Sequence, residues 1–153
     1  MCRNRTFVWI FLTFALSLAP ISATSAHAQV RAGVQGGVSI DPDQVYFGGH
    51  VRTAPLIDRL RFRPSVDIGL GENITMVALN FDFTYGFPAR GPWNLYVGAG
   101  PSINIMHVDN GSNTGAGFNF IVGAQQRGGL FFEAKIGTGD SARLKLGVGY
   151  TFP

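Results

Sequence analysis

Cysteine occurs once in this 153-residue chain, at Cys2. Beyond it there is no thiol for a disulfide, a catalytic thiolate or a sulfur-ligated metal, so rigidity has to come from hydrogen bonding and packing. No apolar run reaches the ~20 residues that a helix needs to cross hydrocarbon; the nearest approach, Phe7 to Ala19, stops at Pro20. After residue 28 no segment spaces its apolar residues helically, and no linker or low-complexity tract divides the chain. Net charge is scarce too. The formal +3 includes Arg3 and Arg5, which leaves the remainder near neutral, so a high isoelectric point argues nothing about nucleic acid. The basic run Arg59-x-Arg61-x-Arg63 alternates; in a strand its side chains share one face and point inward instead of forming a nucleic-acid patch.

What is present begins with an export pattern. Arg3 and Arg5 precede the apolar run, and Ala26-His27-Ala28 supplies the small-x-small site of a signal peptidase. The expectation is a signal peptide over residues 1–28, cleaved between Ala28 and Gln29, followed by one domain over 29–153. An uncleaved anchor is the rival, and the run is too short for it.

Behind the leader the period is two. Leu144, Leu146, Val148, Tyr150 and Phe152 alternate with charged residues, Gly or Thr, the mark of a strand with one apolar face. The same division predicts strands near 30–40, 44–53, 59–70, 73–87, 93–106, 116–126, 129–137 and 141–152. Turn formers separate them, among them Asp41-Pro42-Asp43, Gly71-Glu72, Asp109-Asn110-Gly111 and Thr138-Gly139-Asp140. Membrane strands of about 9–11 residues fit eight times into this length with short connections, so the expected fold is all-β: an eight-stranded antiparallel up-and-down barrel.

Orientation decides between two very different proteins. One face carries Thr75, Val77, Leu79, Phe81, Phe83, Tyr85 and Phe87, and the other Asn80, Asp82 and Thr84. A soluble barrel of the lipocalin kind would turn the apolar face inward around an apolar ligand and coat its polar face with Lys and Glu. Here that polar face is mostly Gly, Ser, Asn and a few Arg, and small residues suit a crowded lumen. Tyr85, Phe87, Trp93, Phe62, Tyr150 and Phe152 would share one rim as an aromatic girdle. The apolar face is therefore expected to meet lipid. The lumen then receives Arg31, Arg52, Arg59, Arg61, Arg63, Lys135, Arg143 and Lys145 against Asp67, Asp82 and Glu133. A turn at Gly71-Glu72 would set Asp82 across from Arg61, and a Thr138-Gly139-Asp140 loop Glu133 across from Lys145, two lumen ion pairs of opposite sign. A lumen filled in this way should conduct poorly, with anions preferred if it leaks.

By leader, strand count, dyad pattern and final strand, the chain resembles the eight-stranded outer-membrane barrels of the OmpA/OmpX type. The specific motif is the ending: Lys145, Gly147, Tyr150 and Phe152 match polar-x-Gly-x-x-aromatic-x-aromatic, followed by Pro153 instead of a terminal aromatic. The resemblance implies that the barrel assembly machinery reads this strand, that periplasmic chaperones deliver the chain, and that the monomeric barrel sits in the outer membrane among lipid and lipopolysaccharide. It implies no cofactor, no metal and no nucleic-acid partner.

Chemistry is thin. His107, Asp109 and Ser112 gather near one loop but lack a spacing that aims a base and a nucleophile at one point, so a lipid A-modifying enzyme is the lesser reading. His50 faces the lumen with no second ligand at metal spacing. The external connections, with a cap at Asp109 to Gly115, are too short to offer much recognition surface. The function expected is non-enzymatic, in envelope structure or surface interaction.

Overall fold

The computed structural model describes residues 30–153; the expected signal peptide and its cleavage residues Ala26, Ala28 and Gln29 lie outside the described residues. Eight strands follow in order: β1 (Arg31–Ile40), β2 (Gln44–Arg52), β3 (Leu60–Gly71), β4 (Ile74–Gly86), β5 (Trp93–Val108), β6 (Gly111–Gln126), β7 (Leu130–Gly139) and β8 (Leu144–Thr151). Each pairs antiparallel with its neighbours, and β1 pairs with β8 to close the barrel. Because β1 pairs with β8 the sheet has no open outermost strand, as a sheet in hydrocarbon requires. Both ends of the described chain lie at one mouth, with the 53–59, 87–92 and 127–129 connections; the 41–43, 72–73, 109–110 and 140–143 turns lie at the other.

The faces divide as alternation predicts, apolar side out. Val45 is 63% exposed, Leu95 60% and Phe120 53%, whereas Asp82 is 0%, Asp67 1% and Lys135 2%. That inversion is the reverse of a water-soluble core. The outward aromatics cluster where the girdle was expected. Phe62 meets Phe83 at 5.1 Å between ring centroids, Tyr85 meets Phe87 at 5.6 Å, and Tyr150 meets Phe152 at 5.5 Å.

Two register expectations are corrected. The β3–β4 turn is Glu72-Asn73, with Gly71 opposite Ile74, because Asn73 takes a left-handed φ of 59° that asparagine tolerates. Moving the turn by one residue shifts the pairing by two, so Asp82 stands across from Arg63 and Arg61 across from Thr84. In β7–β8 the loop likewise lies further along, with Gly139 at φ 69°. Glu133 is therefore opposite Gly147, and Lys145 opposite Lys135. Both shifts are even, which keeps every side chain on its expected face.

The β5–β6 hairpin also runs further than the sequence indicated. Pairing continues through His107 with Ser112 and Val108 with Gly111, so the segment expected as a loop cap is a β-ribbon closed by Asp109-Asn110. Six of its residues, 111–116, precede the first pairing of β6 with β7 at Gly117. His107 and Val108 still pair with β4, but residues 111–114 are exposed on both faces, so this stretch needs no dyad pattern, which is why Gly111-Ser112-Asn113-Thr114-Gly115 gave no strand signal.

Candidate functional site

The lumen is built by alternation on all eight strands, and its centre is ionic. Glu133 on β7 accepts from the Arg63 guanidinium of β3 at 2.6 Å and from the Tyr96 hydroxyl of β5 at 2.9 Å. Asp82 on β4 takes the Lys135 ammonium at 2.8 Å and lies 4.0 Å from Arg63. Lys135 also lies 3.6 Å from Glu133. Two cations and two anions thus alternate around one level of the barrel, reached from three strands, with guanidinium carbon to ring distances of 5.7 Å and 5.5 Å placing Tyr96 and Phe131 against Arg63.

A second level lies toward the far mouth. Asp67 accepts from Gln35 at 2.6 Å and Asn80 at 3.0 Å and sits 3.5 Å from Lys145, whose ammonium lies 5.0 Å from the Tyr46 ring centre. Asn80 donates to Ser65 at 3.1 Å and accepts from Asn119 at 2.9 Å. Above it the 140–143 turn folds over the opening: Ser141 bonds Ser102, and Asn104 donates to both, while Ala142 is 2% exposed. Glycines make room for this filling. A Cβ on Gly48 would strike the Val66 carbonyl and Asp67, and one on Gly147 the Tyr46 hydroxyl.

The two cross-strand pairs expected from register are replaced by contacts across the lumen. Arg61 does not reach Asp82; its guanidinium donates to the Thr53 carbonyl at 3.4 Å near the chain-end mouth. Lys145 pairs with Asp67, and Glu133 with Arg63. Sequence reasoning considered neighbours along the wall, whereas long side chains in a narrow barrel meet the opposite wall. It also missed Phe131, Ile121 and Met76 as lumen fillers at 1%, 4% and 2% exposure; for Phe131 the parity shared with Glu133 and Lys135 was the available signal. Arg143, expected inside, is an exposed partner of Asp41 at 3.7 Å, because it belongs to the turn and not to β8.

His50 is buried, its Nε2 3.0 Å from Thr151 Oγ1 and its ring edge-on to Phe131 at 5.2 Å. Among the described residues no group of three or more His, Cys, Asp or Glu could hold a metal. His107 and Ser112 face each other across the exposed ribbon, with Asp109 at its tip, and among the described residues no hydrogen bond links the three. Lys145 and Gly147 of the terminal strand point inward and Tyr150 and Phe152 outward; the Phe152 amide donates to Ala32 at 2.8 Å, extending β8 against β1.

Toward the chain-end mouth the filling stops at the Arg63, Tyr96 and Phe131 level, leaving a cavity of about 530 Å³. Arg31, Arg52, Arg59, Arg61 and Arg127 surround it above Arg63.

No family model and no curated protein matches the sequence. Solved structures do match the fold. The N-terminal β-barrel domain of Pseudomonas aeruginosa OprF superposes with a TM-score of 0.62 at 19% identity, covering 80% of this chain and 96% of that one. Neisserial surface protein A (NspA) superposes with a TM-score of 0.60 at 15% identity, covering 80% and 94%. At these identities the likeness is one of architecture. The chain is a closed eight-stranded antiparallel barrel with the OmpA-type fold that these outer-membrane barrels share.

Proposed function

We propose that this protein is a small, monomeric, non-enzymatic barrel of the outer membrane, with a lumen sealed by its ion pairs. The observation that carries the reading is the inverted wall: a continuous outward band of Val, Leu, Ile and Phe around an interior of buried, paired charges. Such a surface is stable in lipid and would aggregate in water. The fold shared with OprF and NspA supports the same location. The cavity that the described residues leave in the interior is ringed by arginines, which argues against a carrier of an apolar ligand.

In this reading the outward face contacts phospholipid and, in the outer leaflet, lipopolysaccharide. Lys145, Gly147, Tyr150 and Phe152 form the signal read by the barrel assembly machinery after periplasmic chaperones deliver the chain. The two ionic levels and the 140–143 turn block the axis, so the role is envelope structure or surface contact, the latter through the exposed 107–116 hairpin end. Fractionation tests the location: the protein should be in the detergent-extracted outer membrane and shift in gel mobility on boiling, and recovery in osmotic-shock fluid would refute it. Planar bilayers test the seal; steady anion-selective current would establish a narrow pore instead. Unchanged lipid A mass spectra on expression are expected of a non-enzyme.

A further inference from the structure

We propose that the chain-end mouth is a binding site for a small soluble polyanion carrying phosphate groups. The lumen's cations are sorted by type. Its lysines, Lys135 and Lys145, are in the ionic seal against Asp82, Glu133 and Asp67. The cations around the cavity are all arginines, Arg31, Arg52, Arg59, Arg61, Arg63 and Arg127, and among the described residues no Asp or Glu lines it. Of Arg52, Arg59, Arg61, Arg63 and Arg127, only Arg63 at its floor has carboxylates within ion-pairing distance among the described residues, Glu133 at 2.6 Å and Asp82 at 4.0 Å. Arg52 bonds the neutral Gln125 and keeps its buried Nε without a hydrogen-bond partner, and it lies in the repulsive field of Arg61, Arg31 and Arg63.

A half-enclosed ring of like charges focuses its potential into the cavity, and an anion that enters relieves the repulsion. The planar guanidinium fork matches the oxygens of phosphate groups in pairs. About 530 Å³ falls in the range of small-molecule sites, roughly 300–1,000 Å³. The seal beneath makes the cavity a dead end, so the site binds and does not conduct. The arginines ring the lumen axis, which favours a soluble oligophosphate over a lipid headgroup. That the mouth opens to the periplasm rests on the location proposed above; the binding itself does not.

The test is titration calorimetry of tripolyphosphate into the refolded barrel, in zwitterionic detergent and in nanodiscs with and without phosphatidylglycerol. Saturable binding in all three that weakens with salt is expected. It should fall by at least about tenfold in Arg52→Gln/Arg61→Gln, since each loses a charge-assisted bond, and be unchanged in Arg143→Gln at the other end. Arg59→Gln, outside the strands, provides a second variant that leaves the wall intact. No binding at millimolar tripolyphosphate, equal binding by wild type and both mouth variants, or an interaction seen only as phosphatidylglycerol association would overturn the proposal. Refolding is scored by the boiling-dependent gel shift, so failure to form a membrane barrel is read separately from failure to bind.

Discussion

Replacing Glu133 by glutamine keeps shape and removes one charge from the seal. At an effective dielectric near 20, the 2.6 Å contact with Arg63 corresponds to about 6 kcal/mol of Coulomb attraction and the 4.0 Å contact of Arg63 with Asp82 to about 4 kcal/mol. Without Glu133 the Arg63 charge falls back on Asp82, which Lys135 already holds at 2.8 Å, and two buried cations share one carboxylate. Partial rehydration from the mouth offsets some of the loss. The net cost should be about 3–5 kcal/mol, as for buried pairs broken from one side. Urea unfolding of the refolded barrel in vesicles, followed by Trp93 fluorescence and gel mobility, measures it. Arg63→Gln/Glu133→Gln should cost less than the sum of its single variants by roughly 0.5–3 kcal/mol. A cost below about 1 kcal/mol for Glu133→Gln, with additive single variants, would mean that these charges are hydrated and the seal is not ionic.

Other substitutions test the wall and its ends. Phe81→Arg, on an outward position 38% exposed, should cost about 2–4 kcal/mol near the midplane and reduce insertion, measured by membrane recovery. Gly100→Ala places a Cβ against the Phe81 carbonyl and the Asp82 backbone and should cost about 1–3 kcal/mol in the same urea assay. Phe152→Ala should lower the amount of heat-modifiable protein assembled in cells; undiminished assembly would count against Phe152 as part of the signal. Arg143→Gln removes an exposed pair, with side chains 80% and 69% accessible, and should shift stability by no more than about 0.5 kcal/mol.

The wall was legible in the sequence because alternation at period two is enforced wherever the two faces of a sheet meet different surroundings. Strand number, chain order and the inward parity of Arg63, Asp82, Glu133 and Lys135 followed from that pattern. The partners of those charges did not. Asn73 and Gly139 set turn positions through left-handed backbone angles, and a one-residue error there displaced every predicted pair by two. Even correct register would have missed Glu133 with Arg63 and Asp82 with Lys135, since these contacts span the lumen between non-neighbouring strands. The 107–116 ribbon was unreadable for a different reason: where both faces are exposed nothing selects for alternation. The arginine-ringed mouth was half legible. Arg31, Arg52, Arg59, Arg61 and Arg63 were assigned to the lumen and Arg127 was not, and their separation from the carboxylates depends on how far down the axis each strand places them.

The central claim, apolar face to lipid and ions to the axis, is tested most directly by fluorescence quenching. In a Trp93→Phe background of the mature chain, Phe120→Trp and Phe131→Trp each put one indole on an opposite face of the wall, at sites 53% and 1% exposed. Vesicles of lipids brominated along the acyl chain should quench the Phe120→Trp protein strongly and leave the Phe131→Trp protein nearly unquenched. Strong quenching at 131 with none at 120 would mean that the wall is turned the other way.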